Sequence, residues 1–220
     1  MRPFAVSRRK SRGVSIVEMT FIFLILLPLL LGTAGIGINM LRSLQVIQLA
    51  RDAGHMYARG VDFTVATNQQ ILANVGSGLG LNTTSGTGNA VVILSKINYV
   101  DKGVCASASK VDTLGNPSGC TNYRKWVFSQ RLILGNSGLR SSNFGTPSSP
   151  GTIDVVAQAT DPADVASISG FLPYTNNTST GGGISGLPSG QVVYAAEAAS
   201  LGFRMPPFAG GTPLYSYTMF

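Results

Sequence analysis

The sequence predicts an α+β protein: a long N-terminal membrane-spanning helix that extends into an exported domain with a small antiparallel sheet. Three observations predict it. Residues 19–41 carry no charge. Beyond them, apolar positions recur with a helical period as far as Arg59, where Gly60 follows. The remainder alternates β-branched or aromatic segments with stretches rich in Gly, Ser, Thr and Asn, as strands and loops do. The boundaries read as a basic leader over residues 1–13, a transmembrane and amphipathic helix over 14–60, and an exported α+β domain over 61–220.

The net charge of +7 is unevenly placed. Arg2, Arg8, Arg9, Lys10 and Arg12 precede Val14 with no acid among them. The other eleven Lys and Arg face all nine Asp and Glu. The body is therefore not a basic nucleic-acid binder. A cluster of cations on one side of an apolar segment marks that side as cytoplasmic, which leaves everything after Leu41 exported.

As a helix, residues 19–41 reach about 35 Å at 1.5 Å per residue, enough for a hydrocarbon core of about 30 Å. Pro28 removes one backbone donor and favours a kink. Gly32, Gly35 and Gly37 suit either close helix approach or ordinary membrane-helix composition. Further on, Gln45, Gln48, Asp52, His55 and Arg59 fall on one helical face, and Val46, Leu49, Ala50, Ala53 and Tyr57 on another. The helix thus continues beyond the bilayer, and its apolar stripe needs a cover from the domain that follows. A disposable secretory signal cut near Thr33-Ala34-Gly35 fits less well, because the apolar run continues through Ile36, Ile38, Met40 and Leu41.

In the domain, residues 62–76 read as a short second helix and 76–88 as a loop. Residues 90–100 read as a strand. Residues 123–134 read as another, with Trp126, Phe128 and Leu132 on one face and Arg131 on the other. Residues 135–151 are a loop and 153–159 a strand candidate. Asp161-Pro162 starts a short helix to Ser167. Residues 174–190 are low in complexity, and 191–205 form the last strand. Pro206-Pro207 ends it, ahead of a turn-rich aromatic tail. The tail aromatics Phe203, Phe208, Tyr215, Tyr217 and Phe220 are assigned to the core, with a subunit contact as the alternative.

Cys105 and Cys120 are the only cysteines. On the exported side an oxidising compartment permits a disulfide between them. Two thiols and the single, distant His55 do not make a four-ligand metal site, so neither a metal nor another cofactor is expected. No Ser/His/Asp set and no phosphate-binding loop occurs, and His55 sits on the polar helix face. An enzyme is not expected.

Glu18 is the residue that needs a partner. A carboxylate near the bilayer core costs a few kcal/mol on insertion scales. If the chain is cut between Gly13 and Val14, the new α-amine lies four residues before Glu18, on the same helical face. A neighbouring subunit's amine could pair with it instead and set axial register in an assembly.

A basic leader, Gly13, Val14, Glu18 at the fifth position after the cut, and an apolar helix containing a proline resemble the type IV prepilins and pseudopilins. With the helical extension through Gln48-Leu49-Ala50-Arg51-Asp52-Ala53, the chain looks most like the TadE-like pseudopilins of tight-adherence, or Flp-type, pilus systems. The resemblance covers about the first 60 residues. It implies cleavage between Gly13 and Val14 by a prepilin peptidase. It implies a bacterial inner-membrane protein whose C-terminal domain is periplasmic or extracellular. The implied partners are other pilins or pseudopilins, the inner-membrane assembly platform and the lipid bilayer. The implied role is that of a minor subunit in assembly of the pilus or a related secretion filament. The alternative is an uncleaved single-pass membrane-anchored adhesin or binding module.

Overall fold

The computed structural model describes residues 12–147, 151–152, 192–207 and 209–220. Most of the expected leader, the strand expected at 153–159, the helix expected from Asp161 to Ser167, the stretch 174–190 and Phe208 lie outside the described residues.

Helix α1, Arg12–Ala58, is continuous over 47 residues and contains Pro28. It begins two residues before the expected Val14. It ends where Gly60 takes φ 85°. There Gly60 N–H donates to the Tyr57 carbonyl and Val61 N–H to that of Met56, at 3.0 Å each. That pairing satisfies the last carbonyls, and the left-handed residue it requires is one glycine adopts without steric cost.

Next come α2 (Ala66–Val75), a 3-10 turn (Ser77–Leu79), β1 (Ala90–Tyr99), α3 (Lys102–Ser107) and β2 (Trp126–Gly135). The chain closes with β3 (Gly151–Thr152), β4 (Val192–Leu201), β5 (Arg204–Met205), β6 (Ala209–Gly210) and β7 (Pro213–Met219). The main sheet has the order β3-β2-β1-β4-β7, with every pair antiparallel. β5 and β6 form a separate two-stranded hairpin.

The outer half of α1 lies across β4 and β7. The apolar face read from the sequence is the buried one: Val46, Leu49, Ala50, Ala53 and Tyr57 all enter the core with Ala196 and Ala198 of β4. Small residues on both partners bring helix and sheet close together. A Cβ added at Gly54 would stand 3.2 Å from that of Ala196 and 2.7 Å from the Thr218 methyl. Gln45, Gln48, Asp52, His55 and Arg59 are exposed, as their spacing predicts, and the His55 ring rests 4.3 Å from that of Phe220.

Three expectations are corrected. Strict alternation along β2 fails because the register shifts opposite Lys96 and Ile97. Gln130 pairs with Lys96 and Phe128 with Ile97, leaving Ser129 as an extra residue. A bulge reverses the facing of everything beyond it. Phe128 therefore shares a face with Arg131, whose guanidinium sits 4.4 Å above its ring, and not with Leu132. The Ser129 hydroxyl secures the bulge by donating to Asn98 Oδ1 at 2.7 Å.

The tail is the second correction. It is not turn-rich but forms β7, paired with β4 from Ala195↔Met219 to Leu201↔Pro213. Tyr217 and Phe220 remain 46% and 40% exposed, so they do not belong to the core. The third correction is that the expected last strand divides, with β4 ending at Leu201 and β5 starting at Arg204. The chain leading into the first cysteine is helical. Asp101 caps α3 by accepting from Val104 N–H at 2.8 Å, and α3 carries Cys105.

Cys105 and Cys120 form a disulfide, buried with Val100 and Val127 at the end of the sheet away from the start of α1. Closing that loop restricts the unfolded chain. Replacing both cysteines by serine is expected to cost about 3 kcal/mol, read as a lower urea midpoint with Trp126 fluorescence as the probe. An unchanged midpoint would show that the crosslink adds nothing.

The polar centre of the sheet's other face was not visible in the sequence. Glu197 of β4 is 1% exposed. Its carboxylate accepts from Asn143 N–H at 2.8 Å, from the Tyr215 hydroxyl at 2.7 Å and from the Ser142 hydroxyl. These bonds hold the loop after β2 against β4 and β7. Arg140 lies over the Tyr215 ring, 3.8 Å from its centroid.

Burial raises the pKa of Tyr57, and burial followed by the hydrogen bond to the Glu197 carboxylate raises that of Tyr215. Both folded-state values exceed the unfolded value of about 10. The associated stability is therefore complete below that pH and lost as pH rises above it. The urea midpoint is expected to stay flat from about pH 8 to about pH 10 and then fall, with a shallower fall in Tyr57→Phe. A slope unaffected by that substitution would assign the loss to other groups.

Candidate membrane anchor and processing site

From Ile16 to Leu31 every large apolar side chain of α1 is exposed, by 38 to 69%. A continuous apolar surface of that extent is foreign to a monomeric soluble protein. The helix is long and apolar enough to cross a membrane.

The polar groups in the uncharged run are few, and each is satisfied within the protein. The Thr20 hydroxyl donates to the Ile16 carbonyl at 2.9 Å, and that of Thr33 to the Leu30 carbonyl at 3.0 Å. The Asn39 amide pairs with the backbone of Phe203, accepting its N–H at 2.6 Å and donating to its carbonyl at 3.3 Å. Hydrocarbon supplies no alternative partners, so internal satisfaction is what a spanning segment requires. A Cβ added at Gly32 or Gly37 would meet nothing within 4 Å beyond the helix itself, which leaves their flanks open.

Asn39 and Arg42 together join α1 to the sheet domain. Arg42 donates to the Leu201 carbonyl at 3.1 Å, and its guanidinium lies 6.0 Å from the centre of the Phe203 ring. The junction depends on Gly202. A Cβ there would meet the Thr212 carbonyl at 2.6 Å, closer than real side chains come, and Asn39 Oδ1 at a tight 3.1 Å. Sequence reasoning did not find this clamp, although Asn39 is the only amide in the uncharged run.

At the other end, Gly13 and Val14 lie within α1, and Glu18 follows one turn after Val14 on the same helix. Glu18 is exposed. Among the described residues it makes no hydrogen bond or ion pair. The three residues expected to act together are thus close along one helix, and far from Cys105 and Cys120 at the opposite end of the domain. Among the described residues, no group of three or more His, Cys, Asp or Glu side chains converges to hold a metal ion. No protein-family model, no curated protein and no solved structure matches the chain.

Proposed function

We propose that the chain is a minor pseudopilin-like subunit acting in assembly of a tight-adherence, Flp-type, pilus or a related secretion filament. In this reading a prepilin peptidase cuts between Gly13 and Val14. The mature helix then holds the protein in a bacterial inner membrane as a single span, N-terminus cytoplasmic, with the sheet domain on the far side. The chain performs no chemistry of its own and serves as the peptidase's substrate. Its partners are other pilins or pseudopilins and the inner-membrane assembly platform.

One observation carries most of the weight. The Gly13-Val14 bond and Glu18 share a helix that continues unbroken, through an apolar surface with its polar groups satisfied, into a clamp on a folded domain. That arrangement suits a subunit that is trimmed, held in a bilayer and then packed by its helix.

Intact-mass measurement of the protein extracted from membranes containing a prepilin peptidase tests the reading. Loss of residues 1–13 is expected, and Gly13→Leu should leave the full-length precursor. An N-terminus at Met1 in the unmodified chain would favour an uncleaved anchored adhesin. A start after Gly35 would identify a secretory signal.

A further inference from the structure

β4 runs antiparallel to α1, and the contacts between them mark level against level. Gly54 meets Ala196, Arg42 meets Leu201, and Asn39 meets Phe203. The β5–β6 hairpin continues in the same direction, towards the start of α1. A strand residue advances about 3.3 Å, which puts Met205 roughly 7 Å beyond Phe203. A helix residue advances about 1.5 Å, so Met205 lies level with Gly35. Two observations agree with this. β6 packs on α1, and Gly35 is buried although Thr33, Ala34, Ile36 and Gly37 around it are exposed.

That level falls inside the apolar run. Glu18 and Arg42 are the first charges on either side of it, about 36 Å apart along a helix. A hydrocarbon core of about 30 Å centred between them ends near Met40. Met205 then lies about 7 Å below that boundary, and Pro206 and Pro207, both exposed, lie about 10 Å below it by the same strand rise.

We propose that the β5–β6 hairpin enters the outer leaflet beside α1, with Met205, Pro206 and Pro207 about 7–10 Å inside the hydrocarbon boundary and the Arg204 backbone about 4 Å inside it, its long side chain reaching back to the headgroups. The proposal rests on the reading of α1 as a membrane span. The occupant of this surface is lipid, because the tip adjoins the exposed apolar flank of the span. The chemistry agrees: Met205, Pro206 and Pro207 carry no charge, and the one cation, exposed Arg204, stands at the base of the hairpin. Arg42, held by the Leu201 carbonyl, stands about 3 Å above that boundary and marks the headgroup side. A ribbon of two-residue strands is also poorly stable in water, and an apolar medium strengthens its hydrogen bonds. The membrane would thereby fix the tilt and rotation of the sheet domain, which a single helix leaves free. Depth of 5–10 Å is common for interfacial segments.

The full chain, with Cys105 and Cys120 paired, is reconstituted in phosphatidylcholine/phosphatidylglycerol vesicles as M205C, P207C, L114C or L24C, each carrying a bimane label. Leu114 is 83% exposed and lies in the disulfide loop at the distal end. Native Trp126 emission checks that each variant is folded. Lipids brominated in the acyl chains are expected to quench the labels at 205 and 207 as they quench that at 24, and to leave 114 bright. Labels at 205 and 207 that respond only to aqueous iodide, like 114, while 24 is quenched by lipid, would overturn the hairpin proposal and leave the span intact. A label at 24 that escapes lipid quenching would overturn both.

Discussion

Glu197→Ala is expected to destabilise the sheet domain by about 3–5 kcal/mol, the usual cost of stripping one partner from a buried charged network. Glu197 is almost wholly buried and accepts three hydrogen bonds, from Ser142, Asn143 and Tyr215. Alanine leaves all three donors without that acceptor. It also removes the carboxylate that counters the effect of burial on the Arg131 guanidinium, whose pKa burial lowers. Against a total stability of about 5–15 kcal/mol for a domain, such a loss exposes much of the protein to unfolding. Glu197→Gln is expected to lose less. Its carbonyl oxygen can still accept from Asn143 and Tyr215, and the rotating Ser142 hydroxyl can accept from the new amide. Urea unfolding of the full chain in detergent, followed through the buried Trp126, gives both values. Equal losses for the two variants would show that charge, and not the count of acceptors, is what Glu197 supplies.

Glu18→Gln is expected to leave that unfolding curve unchanged and, on the proposed pseudopilin reading, to abolish association with the pilus machinery. Glu18 lies 17 residues before Gly35, the first residue of α1 from Ile16 onward that is buried, which is about 26 Å along the helix. The domain therefore cannot sense the substitution through contact. In a bilayer the isolated carboxylate costs a few kcal/mol, and a neighbouring subunit's α-amine at Val14 would remove that cost. Glutamine keeps the size and hydrogen-bonding atoms but not the charge. Glu18→Ala should behave alike in assembly and favour residence in lipid. Co-purification with pilus components is the measurement, alongside protease resistance of the sheet domain. Normal association of both variants would refute the pairing role. A protease-sensitive domain would show that Glu18 also acts in folding.

The sequence by itself determined the parts governed by local pattern. An uncharged run of 23 residues can be read without any partner, because solvent preference belongs to each side chain. The buried stripe from Val46 to Tyr57 is equally local, since helical geometry puts those side chains on one face wherever the sheet lies. The two long strands at β1 and β2 were legible from their β-branched and aromatic content. Cys105 and Cys120 had no other partner to choose.

Tertiary structure decided what depends on register and approach. One extra residue at Ser129 reversed the facing of Phe128, and no alternation rule foresees where a bulge will fall. The aromatic tail became β7 because β4 had a free edge to pair with. Glu197 looked like an ordinary strand carboxylate until the loop after β2 and Tyr215 closed over it. Asn39 and Arg42 became a clamp only because Gly202 lets another backbone come within contact of the helix. In each case the deciding energy is an interaction between residues distant in sequence, which no single stretch of the chain contains.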